Sequence, residues 1–262
     1  SARPLQSEHL INTQSKWIDQ NDAAQLNMND LLNKNKNRKN GFEGIFLSPA
    51  HPKVNSYLLS VFKELAEEYN IDGIHLDYIR YHDSGYGKNP YSIASYKKYN
   101  SSSSEISSSS LDRFSSQQWN DFKRKSITDL VSATKDMITL INPKIELSAA
   151  VKPSLYEARE RFYQEWDVWL VAGYLDKAFL MNYATDLRVF AANIDIMYDN
   201  LPKKYRRKIV MGISTYNQNP DEALTKVKYT KVTRFSSVAF FSYNSLVQNK
   251  TYFQKIKNYI YK

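Results

Sequence analysis

The chain has 262 residues, of which 42% are apolar and 14% aromatic, and it contains no cysteine. This composition excludes a disordered chain, a disulfide scaffold, a cysteine nucleophile and a thiolate metal site, and no apolar run is long enough to span a bilayer. The net charge of +9 is concentrated after residue 199. We interpret this excess as the solvated faces of C-terminal helices, because no nucleic-acid recognition motif accompanies it.

The first third of the chain predicts one clear helix and one clear strand. Residues 1–45 are mostly polar and predict a long loop region with one short helix. A helix opened by Pro52 follows, because the apolar residues after it recur at helical spacing. The alternation in 71–80 predicts a strand that points His75 and Asp77 to one side. Residues 82–115 form an insertion, which ends in a low-complexity serine run at 101–110.

After residue 115 the predicted helices and strands alternate. We predict helices at 116–140, 156–172, 189–199, 220–229 and 252–261, and strands at 145–151, 177–183, 209–214 and 237–243. This order is typical of parallel βα units, in which ligands bind at the carboxyl ends of the strands. We therefore expect an α/β fold and a single domain over 1–262.

Polar and aromatic side chains gather at those predicted strand ends. They include His75, Asp77, Arg80, Asn182, Tyr183, Asp186 and Tyr243. Aromatic faces stack on sugar rings, and carboxylates, amides and guanidinium groups hydrogen-bond hydroxyl groups. The pattern therefore predicts a site for a polyhydroxylated ligand.

The residues alone leave the two main carboxylates open to two interpretations each. Asp77, beside His75 and near Arg80, suits a nucleophile or base, and equally suits a structural partner of Arg80. Asp186 is either a second carboxylate of the site or a helix N-cap. His75 is interpreted as a core histidine rather than a metal ligand, because no metal-binding spacing occurs. We predict no cofactor, since no phosphate-binding or dinucleotide glycine loop is present.

Two segments together resemble the glycosyl hydrolase-like 10 family, a group of bacterial proteins. They are Phe-Leu-Ser-Pro-Ala-His-Pro-Lys-Val at 46–54 and Tyr-Asn-Ile-Asp-Gly-Ile-His-Leu-Asp-Tyr-Ile-Arg-Tyr at 69–81. The likeness continues to Phe-Phe-Ser-Tyr at 240–243. It implies a (β/α)8 TIM-type barrel that hydrolyses O-glycosidic bonds, with Asp77 as the catalytic carboxylate of the fourth strand and Asp186 as its acid partner. The substrate-binding residues would be His75, Arg80, Asn182, Tyr183 and Tyr243.

The sequence departs from the family pattern in one large respect. Five strands are predicted, corresponding to strands 4 to 8, and the first three strands of the barrel are missing. We therefore expect a C-terminal part of the catalytic domain, or an incomplete barrel. The family also implies an extracytoplasmic or cell-surface location, with any export signal preceding Ser1. A non-catalytic carbohydrate-binding or inactive relative is the alternative, and a nucleic-acid binder is disfavoured. The oligomeric state is not predicted.

Overall fold

The computed structural model describes residues 8–21, 44–102, 116–235 and 237–260. Its centre is a five-stranded parallel sheet in which neighbouring strands follow one another along the chain. The strands are β1 (Gly73–Leu76), β2 (Glu146–Val151), β3 (Lys177–Leu180), β4 (Ile209–Ser214) and β5 (Ser237–Phe241). The predicted α/β class with parallel strands is therefore confirmed, although β1, β3 and β5 end earlier than the sequence suggested.

Helices connect the strands and cover one face of the sheet. They are α1 (Leu10–Thr13), a 3-10 turn (Ser15–Trp17), α2 (Val54–Glu68), α3 (Pro90–Ser102), α4 (Ser116–Ile141), α5 (Leu155–Glu160), α6 (Trp166–Ala172), α7 (Leu187–Asn200), α8 (Lys203–Arg206), α9 (Pro220–Val232), α10 (Tyr243–Gln248) and α11 (Lys250–Ile260). In the described ranges, none of these helices has both the length and the apolar character that a bilayer span requires.

The core lies between that covered face and the helices. Alternate strand residues are buried there, such as Ile74 and Leu76 of β1 and Leu180 of β3, and they join the buried Trp166 and Trp169 of α6 in one apolar cluster. Burial of these side chains is the main stabilising contribution to the fold. The opposite face of β1 carries His75, which pairs in register with Ser148 of β2.

The helix predicted at 156–172 is two helices, α5 and α6. The chain turns between them at Tyr163, whose φ of 54° lies in the left-handed region. The turn places Gln164 against the sheet, where its side chain accepts from Lys152 N at 2.9 Å and donates to Ala150 O at 3.2 Å. These bonds to the backbone at the end of β2 explain the break, because a continuous helix would carry Gln164 elsewhere.

Helix α3 lies inside the predicted insertion and was not foreseen. The Asn89 side chain accepts from the backbone N–H of Tyr91 and donates to the carbonyls of Lys16 and Ile18, at 2.8 Å each. It therefore both begins the helix and ties it to the N-terminal segment. The serine run from 103 onward lies outside the described residues, as do 1–7 and 22–43 of the predicted N-terminal loop.

A buried polar cluster joins the same segments. The Asp19 carboxylate accepts a hydrogen bond from Ser48 Oγ at 3.0 Å, and Ser48 Oγ lies 2.8 Å from Ser92 Oγ of α3. All three side chains are buried. Burial raises the pKa of the Asp19 carboxyl to about 7, although its hydrogen bonds act in the opposite direction.

Candidate functional site

The exposed carboxylate of Asp77 stands at the carboxyl end of β1. Its Oδ1 accepts a hydrogen bond at 2.8 Å from the backbone N–H of Tyr78, whose φ of 59° is left-handed. This conformation is unfavourable for a bulky residue. It is compensated by stacking of the Tyr78 ring on Phe46, with centroids 4.7 Å apart, and on the Arg80 guanidinium at 3.9 Å. The turn therefore ends the strand directly after Asp77 and leaves its carboxylate facing solvent.

His75 lies two residues before Asp77, on the same face of β1. Its Nδ1 is 2.9 Å from Ser148 Oγ, and its ring packs edge-on against Phe179 with centroids 4.9 Å apart. Partial burial lowers the pKa of His75, and the nearby negative charge of Asp77 acts in the opposite direction. His75 therefore has a hydrogen-bonded and aromatic environment of its own beside the carboxylate.

Three aromatic rings, which we call the aromatic surface, lie at the ends of β3, β4 and β5. Tyr183 stacks on Phe241 with centroids 5.4 Å apart, and Tyr216 meets Phe241 edge-on at 6.0 Å. Tyr216 and Phe241 are 56% and 54% exposed, so their rings can contact a ligand. Burial raises the pKa of Tyr183, and nearby Tyr216 and Asp77 raise it further. Asp77, which follows β1, stands at the same carboxyl-terminal edge of the parallel sheet as this surface.

Two residues predicted to bind substrate are buried and hydrogen-bonded to the protein itself. Arg80 is 9% exposed and donates to the backbone carbonyls of Tyr81 and His82 at 3.2 and 3.3 Å. Asn182 is 1% exposed, and its amide donates to Phe190 O and accepts from Asn193 Nδ2. Both residues therefore support the strand ends from within the fold.

Tyr243 and Asp186 are exposed. Tyr243 is the first residue of α10. The Asp186 carboxylate caps α7 and accepts from Arg188 N at 2.6 Å and Val189 N at 3.4 Å. Its negative charge also acts on Lys226, whereas that of Asp77 acts on His75 and Tyr183. The contacts of Asp186 are those of the N-cap that the sequence analysis kept open.

Phe241 and Phe179 contact residues of the candidate site, and neither was named as a site residue from the sequence. The alternation of side chains along a strand could have indicated which face of the sheet they occupy. It puts Phe179 on the same face of β3 as Lys177, and Phe241 on the same face of β5 as Ser237. The predicted strand 237–243 ends at Phe241, and Tyr243 begins the next helix.

The arrangement offers an exposed carboxylate beside a histidine and an aromatic surface. Among the described residues, no carboxylate and no basic side chain forms a hydrogen bond or an ion pair with Asp77. Within the same ranges, no group of three His, Cys, Asp or Glu side chains is placed to hold a metal ion. The described residues of this candidate site supply a carboxylate, a histidine and aromatic rings that can stack.

Comparisons with known proteins agree with this reading of the fold. The family described as glycosyl hydrolase-like 10 matches residues 10–230. Among solved structures, the glycoside hydrolase domain of PgaB (BpsB) from Bordetella bronchiseptica is similar, with a TM-score of 0.62 and 12% identity. The similarity covers 83% of this chain and 66% of that one, so this chain spans slightly less than two thirds of that domain. No curated protein matches the sequence.

Proposed function

The chain belongs to the glycosyl hydrolase-like 10 family, and we propose that it hydrolyses O-glycosidic bonds of a polysaccharide or oligosaccharide. One observation carries the proposal: the exposed Asp77 carboxylate follows β1 at the same edge of the parallel sheet where Tyr183, after β3, stacks on Phe241 at the end of β5. A carboxylate beside exposed aromatic rings suits a sugar substrate, because the rings cover its apolar face while the carboxylate reacts or accepts hydrogen bonds.

We further propose that the five strands are strands 4 to 8 of a (β/α)8 barrel. Parallel neighbours in chain order, joined by helices on one face, support this, as does the likeness in fold to the PgaB domain. In such a barrel β1 is the fourth strand, and Asp77 stands at the edge where barrel enzymes place their catalytic groups. The family resemblance also leads us to propose an extracytoplasmic or cell-surface location.

In this proposal Asp77 acts as nucleophile or base. The aromatic surface holds the sugar, with His75 and Tyr243 as further binding residues. Glycosidases need a second carboxyl group, about 5–5.5 Å from the first in retaining enzymes and about 6.5–9.5 Å in inverting ones. Asp186 is the proposed acid partner, and it would have to combine that role with its hydrogen bonds to the first turn of α7.

A non-catalytic carbohydrate-binding protein is the second candidate. It is favoured by the contacts of the two carboxylates, because Asp186 caps a helix and, within the described ranges, Asp77 is bonded only to a backbone N–H. Such a protein would keep the aromatic surface and bind sugars without cleaving them.

The test is a glycan panel assayed for both binding and release of reducing ends. We expect Asp77→Asn to abolish hydrolysis while sugar binding survives. The matched control is Asp72→Asn. Asp72 is an exposed carboxylate directly before the amino-terminal end of β1, and this change should leave hydrolysis unchanged. Binding without turnover in the unaltered protein would favour the second candidate. Full turnover in Asp77→Asn would refute the proposed role of Asp77.

A further inference from the structure

The imidazole of His75 is held between side chains of two neighbouring strands. On β2, Ser148 stands opposite His75 in the register of the sheet, and its Oγ lies 2.9 Å from His75 Nδ1. On β3, the ring of Phe179 packs edge-on against the imidazole, with centroids 4.9 Å apart. The side chain of His75 is nevertheless exposed, so its ring has a fixed orientation and remains accessible to a ligand.

The Ser148 hydroxyl group decides which nitrogen of His75 carries the hydrogen. Its Oγ donates a long hydrogen bond of 3.5 Å to the backbone carbonyl of Ile74, and a carbonyl oxygen can only accept. A hydroxyl group has one hydrogen, so once this hydrogen points to Ile74, Oγ can meet His75 Nδ1 only as an acceptor. Both contacts of Ser148 are therefore satisfied together only when Nδ1 carries the hydrogen.

The Nδ1–H form leaves a lone pair on Nε2 of His75. Burial lowers the pKa of His75, although the charge of Asp77 acts in the opposite direction, and a lower pKa favours the neutral ring that has this lone pair. Among the residues that the structure describes, no side chain or backbone group hydrogen-bonds Nε2. Nε2 is therefore the nitrogen at which His75 can accept a hydrogen bond from a ligand.

We propose that Ser148 is a positioning residue, which holds His75 as the Nδ1–H tautomer so that Nε2 accepts a hydrogen bond from a hydroxyl group of a bound sugar. The contact with the sugar rests on the proposed function, whereas the tautomer depends only on Ser148. His75 and Asp77 are two residues apart, about 7 Å along an extended chain, and both side chains accept. The pair therefore selects a ligand that offers two hydroxyl donors at this spacing, and it disfavours a ligand that lacks one of them.

Long-range proton–nitrogen correlation spectra of the isotope-labelled protein identify the tautomer without any ligand. The chain has four histidines, and His75→Gln identifies the signals of His75. We expect hydrogen on Nδ1 in the unaltered protein, a shift toward the Nε2–H form in Ser148→Ala, and the Nδ1–H form again in Ser148→Thr, which restores the hydroxyl group. Hydrogen on Nε2 in the unaltered protein, or an unchanged tautomer in Ser148→Ala, would overturn the role of Ser148.

Titration calorimetry with the oligosaccharides of the glycan panel, cellotetraose and chitotetraose among them, tests the sugar contact. Ser148→Ala should weaken their binding by about 2- to 12-fold, as expected for the loss of one hydrogen bond, and Ser148→Thr should restore it. Ser237→Ala, at the start of β5, is the matched control and should bind as the unaltered protein does. Circular dichroism checks that the variants fold.

Two outcomes of the titration separate this inference from the proposed function. Unchanged affinity in Ser148→Ala, together with an altered tautomer, would overturn the sugar contact alone. If the unaltered protein bound none of the oligosaccharides, the sugar contact and the proposed function would both be overturned, and the tautomer result would still decide the role of Ser148.

Discussion

Gly212 of β4 lies directly against Leu180 of β3, so that a β-carbon on Gly212 would overlap the Leu180 carbonyl oxygen. The same β-carbon would stand 3.0 Å from Cε1 of Tyr183. Glycine is therefore required at position 212 for the two strands to approach, and it also leaves room for the ring of Tyr183.

Replacing this glycine should destabilise the fold. Gly212→Ala forces a methyl group onto a backbone oxygen, and overpacking of this kind costs about 1–3 kcal/mol. Urea unfolding followed by circular dichroism measures the loss. Gly85→Ala is the control, because a β-carbon there meets nothing within 4 Å, and it should change the free energy of unfolding by less than about 0.5 kcal/mol. Equal effects of the two changes would contradict the close approach.

Phe241 is predicted to contribute to sugar affinity and little to stability. It is 54% exposed, so Phe241→Ala removes a stacking surface without opening a core cavity. We expect the dissociation constant for a bound oligosaccharide to rise by about 2- to 12-fold, as expected for the loss of an aromatic contact. Phe253→Ala, which removes a 48% exposed ring on α11, should leave the affinity unchanged. Titration calorimetry compares the two, and equal losses would rule out the aromatic surface as the binding site.

Lys226 should stabilise the loops that follow β3 and β4. Its side chain is buried, and its ammonium group donates to the carbonyls of Ala184 and Thr185, at 2.7 and 2.8 Å, and to the Gln218 side chain. Lys226→Met keeps the apolar stem but leaves these acceptors without their donor, at a cost of about 1–3 kcal/mol. Lys228→Met, on the exposed side of α9, is the thermal-unfolding control and should be near neutral. A neutral result for both would show that water replaces the ammonium group.

The raised pKa of Asp19 predicts a pH-dependent stability. Its folded pKa of about 7 lies above the usual 3.8, so the folded state binds the proton more tightly than the unfolded chain. The stabilisation is fully present below about pH 4 and is lost as the pH rises through 7. The loss is at most about 4 kcal/mol.

Asp19→Asn removes this titration while keeping a group that can accept from Ser48. Free energies of unfolding measured from pH 4 to 8 should therefore fall more steeply for the unaltered protein than for the variant. Parallel profiles for the two proteins would mean that the carboxyl does not retain its proton in the folded state.

The order of the helices and strands could be predicted because apolar residues recur along the sequence at the spacing of each element. Apolar spacing located α2 and the start of each strand well. Apolar spacing overestimated the length of β3. The alternation of buried and exposed side chains continues to Tyr183, whereas the hydrogen-bonded pairing with β4 ends at Leu180. Side-chain alternation reports which face a residue occupies, and the hydrogen bonding between strands is a separate property.

The site was harder to predict than the fold. Asp77, His75 and Tyr183 were predicted because strand ends converge at one edge of a parallel sheet, and their roles stay predictions. Asn182 could not be assigned from the sequence, because its amide is satisfied by residues that come 8 and 11 positions later, on α7. Whether the amide of Asn182 hydrogen-bonds a ligand or the protein depends on how α7 packs against β3, and this packing is a property of the tertiary structure.

The strands lie in the sheet in the same order as in the chain, and this order affects how the sheet folds. In the described ranges, each strand from β2 to β5 pairs with the strand that precedes it in the chain. The sheet can therefore form by adding one βα unit at a time, without first closing a long loop between distant strands. Among the described strands, β2, β3 and β4 have two neighbours each, while β1 and β5 have one. Protection of backbone amides against hydrogen exchange should therefore be greatest in the middle three strands and decline toward both ends of the sheet.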